Sequence, residues 1–196
     1  MQKLLLAMLF ISYSAFARES LVDDLSNAWN SRAQSAPTSQ TIEVGFSPNE
    51  GALELVLKTI GTARKEIRVL SYSFTSAPIT QALLDARHRG VGVQMIVDYK
   101  NNIREDRSGK AKHALNALAN AGVKIRTISI YPIHHDKTMI IDGQHVETGS
   151  FNYSDAAAHH NSENVIVVWN NPELAKIYLK HWLSRYESGQ EYSPTY

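Results

Sequence analysis

Four polar side chains within one short stretch have the types and spacing to act on a phosphate group. His135 and Lys137 lie two residues apart, and Ser150 and Asn152 repeat that spacing. Residues two apart on an extended strand project from the same face, so each pair presents its side chains together. An imidazole nucleophile beside an ammonium, a hydroxyl and an amide would supply both the attacking group and the hydrogen-bond donors that a phosphate needs.

The residues between the two pairs predict the hairpin that brings them together. The stretch from His135 to Asp142 is predicted to be a strand, Asp142 and Gly143 form a two-residue turn signal, and a second strand leads to Gly149. A hairpin folded about this turn places both polar pairs near its open end. Asp142 has the opposite strand parity from His135, so we expect it to support the scaffold, while Gly149 permits close backbone approach.

This spacing resembles the HKD motif of the phospholipase D superfamily. Every position of that motif is matched: His135, Lys137, Asp142, Gly149, Ser150 and Asn152. The order of predicted strands and helices extends the resemblance over roughly residues 40–187. Among members of the superfamily, the chain is most similar to the short, single-motif bacterial endonucleases.

The resemblance implies a role for each polar residue. His135 is the expected nucleophile, which forms a phosphohistidine, while Lys137 offers a positive charge to the non-bridging phosphate oxygens and the Asn152 amide donates to them. Ser150 is expected to bind the phosphate or to orient His135. In the family an acidic residue downstream of the second part of the motif holds the imidazole, and Glu163 fits that description. The alternatives are turn or helix-cap chemistry for Ser150 and Asn152, and a solvated strand end for Glu163.

Strands and helices alternate along most of the chain. The predicted strands are 41–46, 66–74, 91–99, 123–128, 135–142, the run up to Gly149, and 164–169, and the predicted helices begin near residues 48, 78, 110 and 172. The residues from Ser47 to Glu50 resemble a capping box for the first helix. This order predicts an α/β fold with a mixed, mostly parallel β-sheet sandwiched between helices, the αβα arrangement of phospholipase D-like nucleases.

The first residues predict a targeting segment. Lys3 precedes an apolar run, and the small-x-small sequence at residues 15–17 resembles a signal-peptidase site, so residues 1–17 are predicted to be a signal peptide. The alternative, a membrane anchor, is disfavoured because the run is shorter than the roughly 20 residues that span a bilayer. Residues 18–40 form a polar lead-in, and 41–196 form the predicted catalytic domain. We therefore expect a periplasmic or secreted protein without stable membrane insertion.

Composition narrows the possible chemistry. The chain has no cysteine, which excludes cysteine catalysis and cysteine-ligated zinc, and its net charge of +1 gives no global attraction to a polyanion. His134, His135, His159 and His160 suggest a metal site, but adjacent strand residues face opposite sides and Lys137 would repel a cation. We therefore expect neither metal nor cofactor. The basic stretch 100–112 is either a nucleic-acid contact or a solvated surface.

The chain carries a single copy of the motif. In-line displacement at phosphorus needs a nucleophile on one side and an acid on the other, and the family supplies two histidines from two motifs. Apart from His135, none of the eight histidines is followed two residues later by lysine. Two chains related by a two-fold axis would restore the pair. The sequence therefore predicts a homodimer with one composite active site.

Three functions are compatible with these features. The first, which rests mainly on the resemblance, is a metal-independent, sequence-nonspecific endonuclease that hydrolyses DNA, with RNA as a further candidate substrate. The second is a phospholipase D that hydrolyses phospholipid headgroups. The third is a phosphate-binding module without catalysis, which is disfavoured because every catalytic position of the motif is filled.

Overall fold

The computed structural model describes residues 34–194. The predicted signal peptide 1–17 and most of the polar lead-in 18–40 lie outside that range. Residues 34–40 are described, and they contain neither helix nor strand before the first strand begins. None of the helices within 34–194 is both long enough and apolar enough to cross a membrane.

Within the described range the chain forms eight strands and five α-helices. The strands are β1 Thr41–Ser47, β2 Glu66–Ser71, β3 Gly92–Asp98, β4 Lys124–Ile128, β5 Lys137–Ile141, β6 His145–Gly149, β7 Glu163–Trp169 and β8 Gln190–Glu191. The α-helices are α1 Ala52–Thr62, α2 Ala77–His88, α3 Lys110–Asn120, α4 Asp155–His159 and α5 Pro172–Ser188, and a π-helical turn spans Lys100–Arg104. The turn, α4 and β8 were not predicted from the sequence.

All eight strands belong to one mixed sheet with the order β1-β7-β6-β5-β2-β3-β4-β8. The predicted α/β fold with a mixed sheet between helices is confirmed, but the prediction that the sheet is mostly parallel is wrong. Only the β2–β3 and β3–β4 pairs are parallel, and the other neighbouring pairs are antiparallel. The reason is that helical crossovers join sheet neighbours only from β2 to β3 and from β3 to β4, whereas β5, β6, β7 and the edge strand β1 run in alternating directions.

Two apolar layers hold the helices against the sheet. On one face, Val56 of α1, Leu83 of α2 and Leu115 of α3 are fully buried against the strands. On the other face, Trp182 of α5 is buried and its indole Nε1 donates to the Val69 backbone oxygen at 3.2 Å. Each large apolar side chain buried in this way contributes roughly 1.5–3 kcal/mol, so both layers fix the sheet that carries the polar residues.

The start of α1 differs from the sequence prediction. Ser47 is the last residue of β1, and the helix begins only at Ala52, preceded by Gly51 in a left-handed conformation with φ 89°. The intervening residues form a turn in which the backbone groups of Phe46 and Glu50 exchange hydrogen bonds of 2.9 and 3.2 Å. The predicted capping box is therefore wrong, because this tight turn uses the backbone that a capping box would require for the helix.

The strand directions bring several chain segments to one edge of the sheet. Ser71 at the end of β2 pairs with Lys137 at the start of β5, and Ser47 at the end of β1 pairs with Glu163 at the start of β7. Gly149, the last residue of β6, lies at the same edge. This edge, called the site edge below, contains the carboxyl ends of the parallel strands, where open α/β sheets place their ligand sites.

Candidate active site

The hairpin predicted from the sequence is present and carries the polar pairs to the site edge. Strand β5 pairs with β6 in a register that sets Thr138 opposite Thr148 and Ile141 opposite His145. At the turn, Asp142 and Gly143 both have positive φ angles, of 53° and 66°, as a tight two-residue connection requires. The open end of the hairpin is therefore the end at which β5 starts and β6 stops.

Lys137 occupies the centre of the site. Its side chain is buried, and its Nζ donates to the backbone oxygen of His135 at 2.7 Å. Burial lowers the pKa of the Lys137 ammonium, and the nearby carboxylates of Glu163 and Asp136 act in the opposite direction. The site thus holds a poorly hydrated ammonium group beside His135, and such a group attracts a phosphate more strongly than a fully solvated lysine does.

The His135 imidazole lies at the exposed surface against an aromatic ring. The centroids of the His135 and Tyr72 rings are 4.6 Å apart with an interplanar angle of 57°. The same Tyr72 ring lies 5.1 Å from the Lys137 Nζ. Sequence reasoning missed Tyr72, which was counted within an overlong second strand. Its only signal was an aromatic residue at a strand end that meets the site edge.

Glu163 and Ser150 form a pair across β6 and β7. The Ser150 Oγ donates to Glu163 Oε2 at 2.6 Å, and the Asn161 Nδ2 donates to Glu163 Oε1 at 3.1 Å. Within residues 34–194 the Glu163 oxygens therefore accept from Ser150 and Asn161 and not from the His135 ring. Glu163 acts on the site through its charge on Lys137, and its predicted role of orienting His135 stays a prediction.

Gly149 lies where the backbones of β6 and β7 are close together. A Cβ atom at this position would be 2.2 Å from the Asn164 backbone oxygen, which leaves no room for any side chain. The Ser150 backbone N–H donates to that same oxygen at 3.1 Å, and the Asn164 backbone N–H donates to the Ser150 Oγ at 3.1 Å. The missing side chain thus lets two strands converge and fixes Ser150 beside Glu163.

Asn152 follows this crossing in a half-buried loop. Its side-chain Oδ1 is buried without a hydrogen-bond partner within the described chain. Its backbone oxygen accepts from the Ser154 N–H at 2.7 Å, and Ser154 in turn caps α4 by accepting from the Ala157 N–H. The helix cap is thus Ser154 and neither Ser150 nor Asn152, so the amide of Asn152 is not used in capping.

Asp142 lies at the opposite end of the hairpin from His135. Its two carboxylate oxygens accept from the backbone N–H groups of Arg64, Lys65 and Glu66 at 2.9, 2.8 and 2.8 Å. These bonds tie the β5–β6 turn to the start of β2. The structure therefore places Asp142 as a scaffold residue, in agreement with the strand-parity argument.

A second polar cluster, which sequence reasoning did not identify, lies behind the site. His134 is buried, its backbone N–H donates to Asp98 Oδ2 at 2.8 Å, and its Nδ1 lies 3.2 Å from Asp136 Oδ2. The His181 Nε2 lies 3.4 Å from the same Asp136 oxygen. Burial lowers the pKa of His134, while Asp136 and Asp98 act in the opposite direction. His134 is thus a packing residue that fixes the backbone next to His135.

The remaining candidates from the sequence are the metal site and the basic stretch 100–112. In the described part of the chain, no group of His, Asp or Glu side chains is arranged to hold a metal ion. His159 bonds instead to Asn49, with its Nδ1 2.8 Å from Asn49 Oδ1. Of the basic stretch 100–112, Lys100 and Arg104 lie 3.8 and 3.4 Å from Glu105, and both line an open cavity of about 320 Å³ at the site edge.

Comparisons with known proteins agree with this geometry. The family described as "Cardiolipin synthase, PLD-like domain" matches residues 56–185. The crystal structure of Nuc from Salmonella typhimurium, titled as a phospholipase D family member, is 44% identical, with a TM-score of 0.75 over 79% of this chain and 99% of that one. NucT from Helicobacter pylori, at 24% identity, supports the fold alone, with a TM-score of 0.67 over 79% of this chain and 100% of that one.

The curated relatives give the same result over a smaller share of their length. A protein named "Phospholipase D" from Rickettsia bellii is 39% identical over 140 residues, which cover 71% of this chain and 66% of that relative, just under two thirds. The family match extends over more than half of this chain and includes the whole β5–β6 hairpin. The chain therefore belongs to the phospholipase D superfamily.

Proposed function

We propose that this protein is a metal-independent, sequence-nonspecific endonuclease that hydrolyses DNA, and also RNA, through a phosphohistidine intermediate in a homodimeric active site. The observation that carries the proposal is the buried Lys137 ammonium next to His135 at the site edge. It supplies beside the nucleophile the positive charge that other phosphodiesterases take from a metal ion. The 44% identity to Nuc over nearly all of that chain supports nucleic acid as the substrate.

The proposed reaction has two displacements at phosphorus. In the first, a His135 ring nitrogen attacks and forms a P–N bond while the P–O bond to the leaving alcohol breaks, and the partner subunit's His135 gives that oxygen a proton. In the second, the same partner histidine takes a proton from water, which attacks phosphorus and releases His135. Lys137, Ser150 and Asn152 hold the non-bridging oxygens in both steps.

The dimer in this proposal is supported by an exposed apolar strip. Ile42, Val44 and Phe46 of β1 are 60%, 54% and 50% exposed. They face away from α1, because the intervening Gly45 packs directly against the α1 N-terminus and Glu43 pairs with Lys58 of α1.

The strip extends onto β7 and ends at the site edge. Ile42 and Val44 pair with Val168 and Ile166 of β7, and Phe46 pairs with Asn164 next to Ser150. Contiguous exposed apolar surface of this kind marks an interaction site. A second copy seated here would lie beside the half-site that lacks its second histidine.

Cleavage of plasmid DNA in excess chelator tests the proposal. The purified protein is expected to nick and linearise the plasmid, His135→Ala is expected to abolish cleavage, and His88→Ala, an exposed histidine on α2, is the matched control. Trapping a phosphorylated His135 after rapid acid-free quenching would identify the intermediate. Cleavage that stops in chelator, or that persists in His135→Ala, contradicts the proposal.

The second candidate is a phospholipase D that releases headgroups from phospholipids. It is favoured by the Rickettsia relatives, which carry the name "Phospholipase D". The same preparation would be offered phosphatidylcholine or cardiolipin vesicles, and headgroup release without DNA cleavage would select the lipid substrate. Binding of inorganic phosphate without turnover of either substrate would point to the third candidate, a phosphate-binding module.

A further inference from the structure

The loop that follows β2 is fixed at the site edge by several hydrogen bonds. The Tyr72 backbone N–H donates to the Asp136 oxygen at 2.9 Å, which ties the loop to the residue after His135. Further along, the backbone N–H groups of Thr75 and Ser76 both donate to the Tyr153 oxygen, at 2.8 and 2.9 Å. The loop therefore bridges the two segments that carry the candidate catalytic residues.

Asn102 holds the same loop from the other side. It is fully buried, and its Nδ2 donates to the backbone oxygens of Tyr72 and Asp98 at 2.6 and 2.8 Å. Its Oδ1 accepts from the Phe74 N–H at 2.8 Å. Two of these three bonds tie the turn after β3 to the loop, and the third joins Asn102 to the end of β3 itself. Asn102 lies within the π-helical turn Lys100–Arg104, a rare geometry that is frequent at functional sites.

Held by these hydrogen bonds, the loop after β2 presents the Tyr72 ring to the site. One face of the site contains the His135 imidazole, 4.6 Å from the ring centre, and the Lys137 Nζ lies 5.1 Å from the same centre. An aromatic face attracts a nearby cation, and this attraction strengthens when the cation is desolvated, as Lys137 is. The ring thus contacts both groups that the reaction needs, although no hydrogen bond holds the exposed imidazole within residues 34–194.

We propose that Tyr72 is a positioning residue of the reaction: its ring holds the His135 imidazole in the orientation for attack beside Lys137, and Asn102 fixes the ring. This inference deepens the proposed function and rests on His135 as the nucleophile. Because the ring restricts the rotation of an otherwise exposed imidazole, its removal should lower the fraction of molecules in which His135 is poised to attack. Substrate binding by Lys137, Ser150 and Asn152 should remain.

Three substitutions test this role. Tyr72→Leu is expected to lower kcat by about 10- to 100-fold, the cost of misplacing a reacting group by about 1 Å, with little change in KM. Tyr72→Phe keeps the ring and is expected to restore the wild-type kcat. Tyr178→Leu, the same change at a half-buried tyrosine of α5 packed against the apolar layer that contains Trp182, is the matched control.

A spectroscopic measurement reports the contact without relying on activity. The Tyr72 ring should shift the His135 imidazole proton resonances by its ring current, and this shift should vanish in Tyr72→Leu and persist in Tyr72→Phe and Tyr178→Leu. Near-normal kcat in Tyr72→Leu overturns the inference, as does a rise in KM at constant kcat, which would mean direct contact with substrate. Full activity of His135→Ala would instead contradict the proposed function itself, and the positioning role of Tyr72 would fail with it.

Discussion

The Lys137 ammonium is held between opposing effects. Burial disfavours its charge, whereas the Glu163 and Asp136 carboxylates and the Tyr72 ring favour it. Its Nζ uses one proton on the His135 backbone oxygen and keeps others for a ligand. A phosphate entering the site would restore much of the solvation that Lys137 has lost, which explains how one lysine can serve as the main electrostatic element of a phosphate site.

A second buried titratable group lies beneath the site on the same face of the sheet. The Glu147 side chain of β6 is fully buried, and its Oε2 accepts from the Tyr153 hydroxyl at 2.6 Å. Burial raises the pKa of Glu147 to about 8, against the opposing effects of the Tyr153 hydroxyl and the Met139 backbone. Besides Glu147 and Tyr153 themselves, Asp136 acts on this pair, because its negative charge raises the pKa of the Tyr153 hydroxyl.

Replacing Glu147 by glutamine should therefore change the pH dependence of stability. Between pH 4.5 and about 8 the unfolded chain has lost the Glu147 proton while the folded chain keeps it, so wild-type stability falls as pH rises through that window. Glutamine does not titrate. The free energy of unfolding of Glu147→Gln relative to wild type should thus rise by up to about 1.4 kcal/mol per pH unit across the window.

Urea unfolding at several pH values measures this difference. Tyr153→Phe is the companion variant: it removes a hydrogen bond that lowers the pKa of Glu147, so it should extend the window to higher pH while destabilising the fold. A constant difference between Glu147→Gln and wild type from pH 4.5 to 8 would contradict the buried, protonated state of Glu147.

The sequence revealed the site residues that lie close together in the chain and missed those that lie far from them. The motif residues stand within eighteen positions of one another, so their spacing alone predicted a shared site. Tyr72 and Asn102 come from the loop after β2 and the turn after β3, and the order of strands in the sheet brings them to the site edge. No local pattern encodes such contacts.

At the scale of elements, the sequence predicted seven of the eight strands but not which strands would be neighbours in the sheet. Alternation and the Asp142-Gly143 turn placed β5 and β6 correctly, because hairpin pairing is local. The pairing of β5 with β2, and of β1 with β7, joins segments about 70 and 120 residues apart. Alternating strands and helices predicted a mixed, mostly parallel sheet, and these long-range antiparallel pairs are the part that local patterns could not specify.

Gly149 is the point at which an element depends on one missing side chain. In Gly149→Ala the new Cβ would clash with the Asn164 backbone oxygen, so β6 and β7 would have to separate and Ser150 would lose its bonds to Asn164 and Glu163. We expect a loss of about 1–3 kcal/mol in stability, typical of overpacking, together with a large loss of activity.

Thermal unfolding and DNA cleavage measured on the same preparations check this prediction. Gly92→Ala, at the start of β3, is the matched control, because a Cβ there would make only an ordinary contact of 3.5 Å with the Lys65 oxygen. It should retain stability and activity. Equal behaviour of the two alanine variants would mean that the close approach of β6 and β7 has no structural or functional role.

At the scale of the whole molecule, the site and the exposed strip each lack something that a second copy of the chain would supply. The site provides one histidine where the proposed reaction uses two, and the strip formed by Ile42, Val44 and Phe46 leaves apolar surface in water next to it. Burying about 800 Å² on each partner is usual for a stable pair of proteins, and the strip with its β7 neighbours would form only the centre of such an interface. A single contact between two copies would therefore bury the strip and bring the second histidine to the site.

Val44→Asp tests that contact. Val44 is 54% exposed in the single chain, so an aspartate there should change the stability of the protomer by less than about 0.5 kcal/mol, as is typical of surface substitutions. In a dimer seated on the strip, however, the same carboxylate would be buried without a partner, and the dimer should dissociate. Because the proposed composite site uses histidines from both chains, cleavage should fall in parallel with the dimer and recover as protein concentration rises.

Light scattering after size exclusion gives the mass, and cleavage assayed over a dilution series gives the specific activity on the same samples. Val44→Leu keeps the strip apolar and should remain dimeric and active, which separates the effect of charge from that of any change at this position. A Val44→Asp protein that is monomeric and fully active would show that one His135 suffices for both displacements. A dimer that persists in Val44→Asp would mean that the second histidine arrives across a different face.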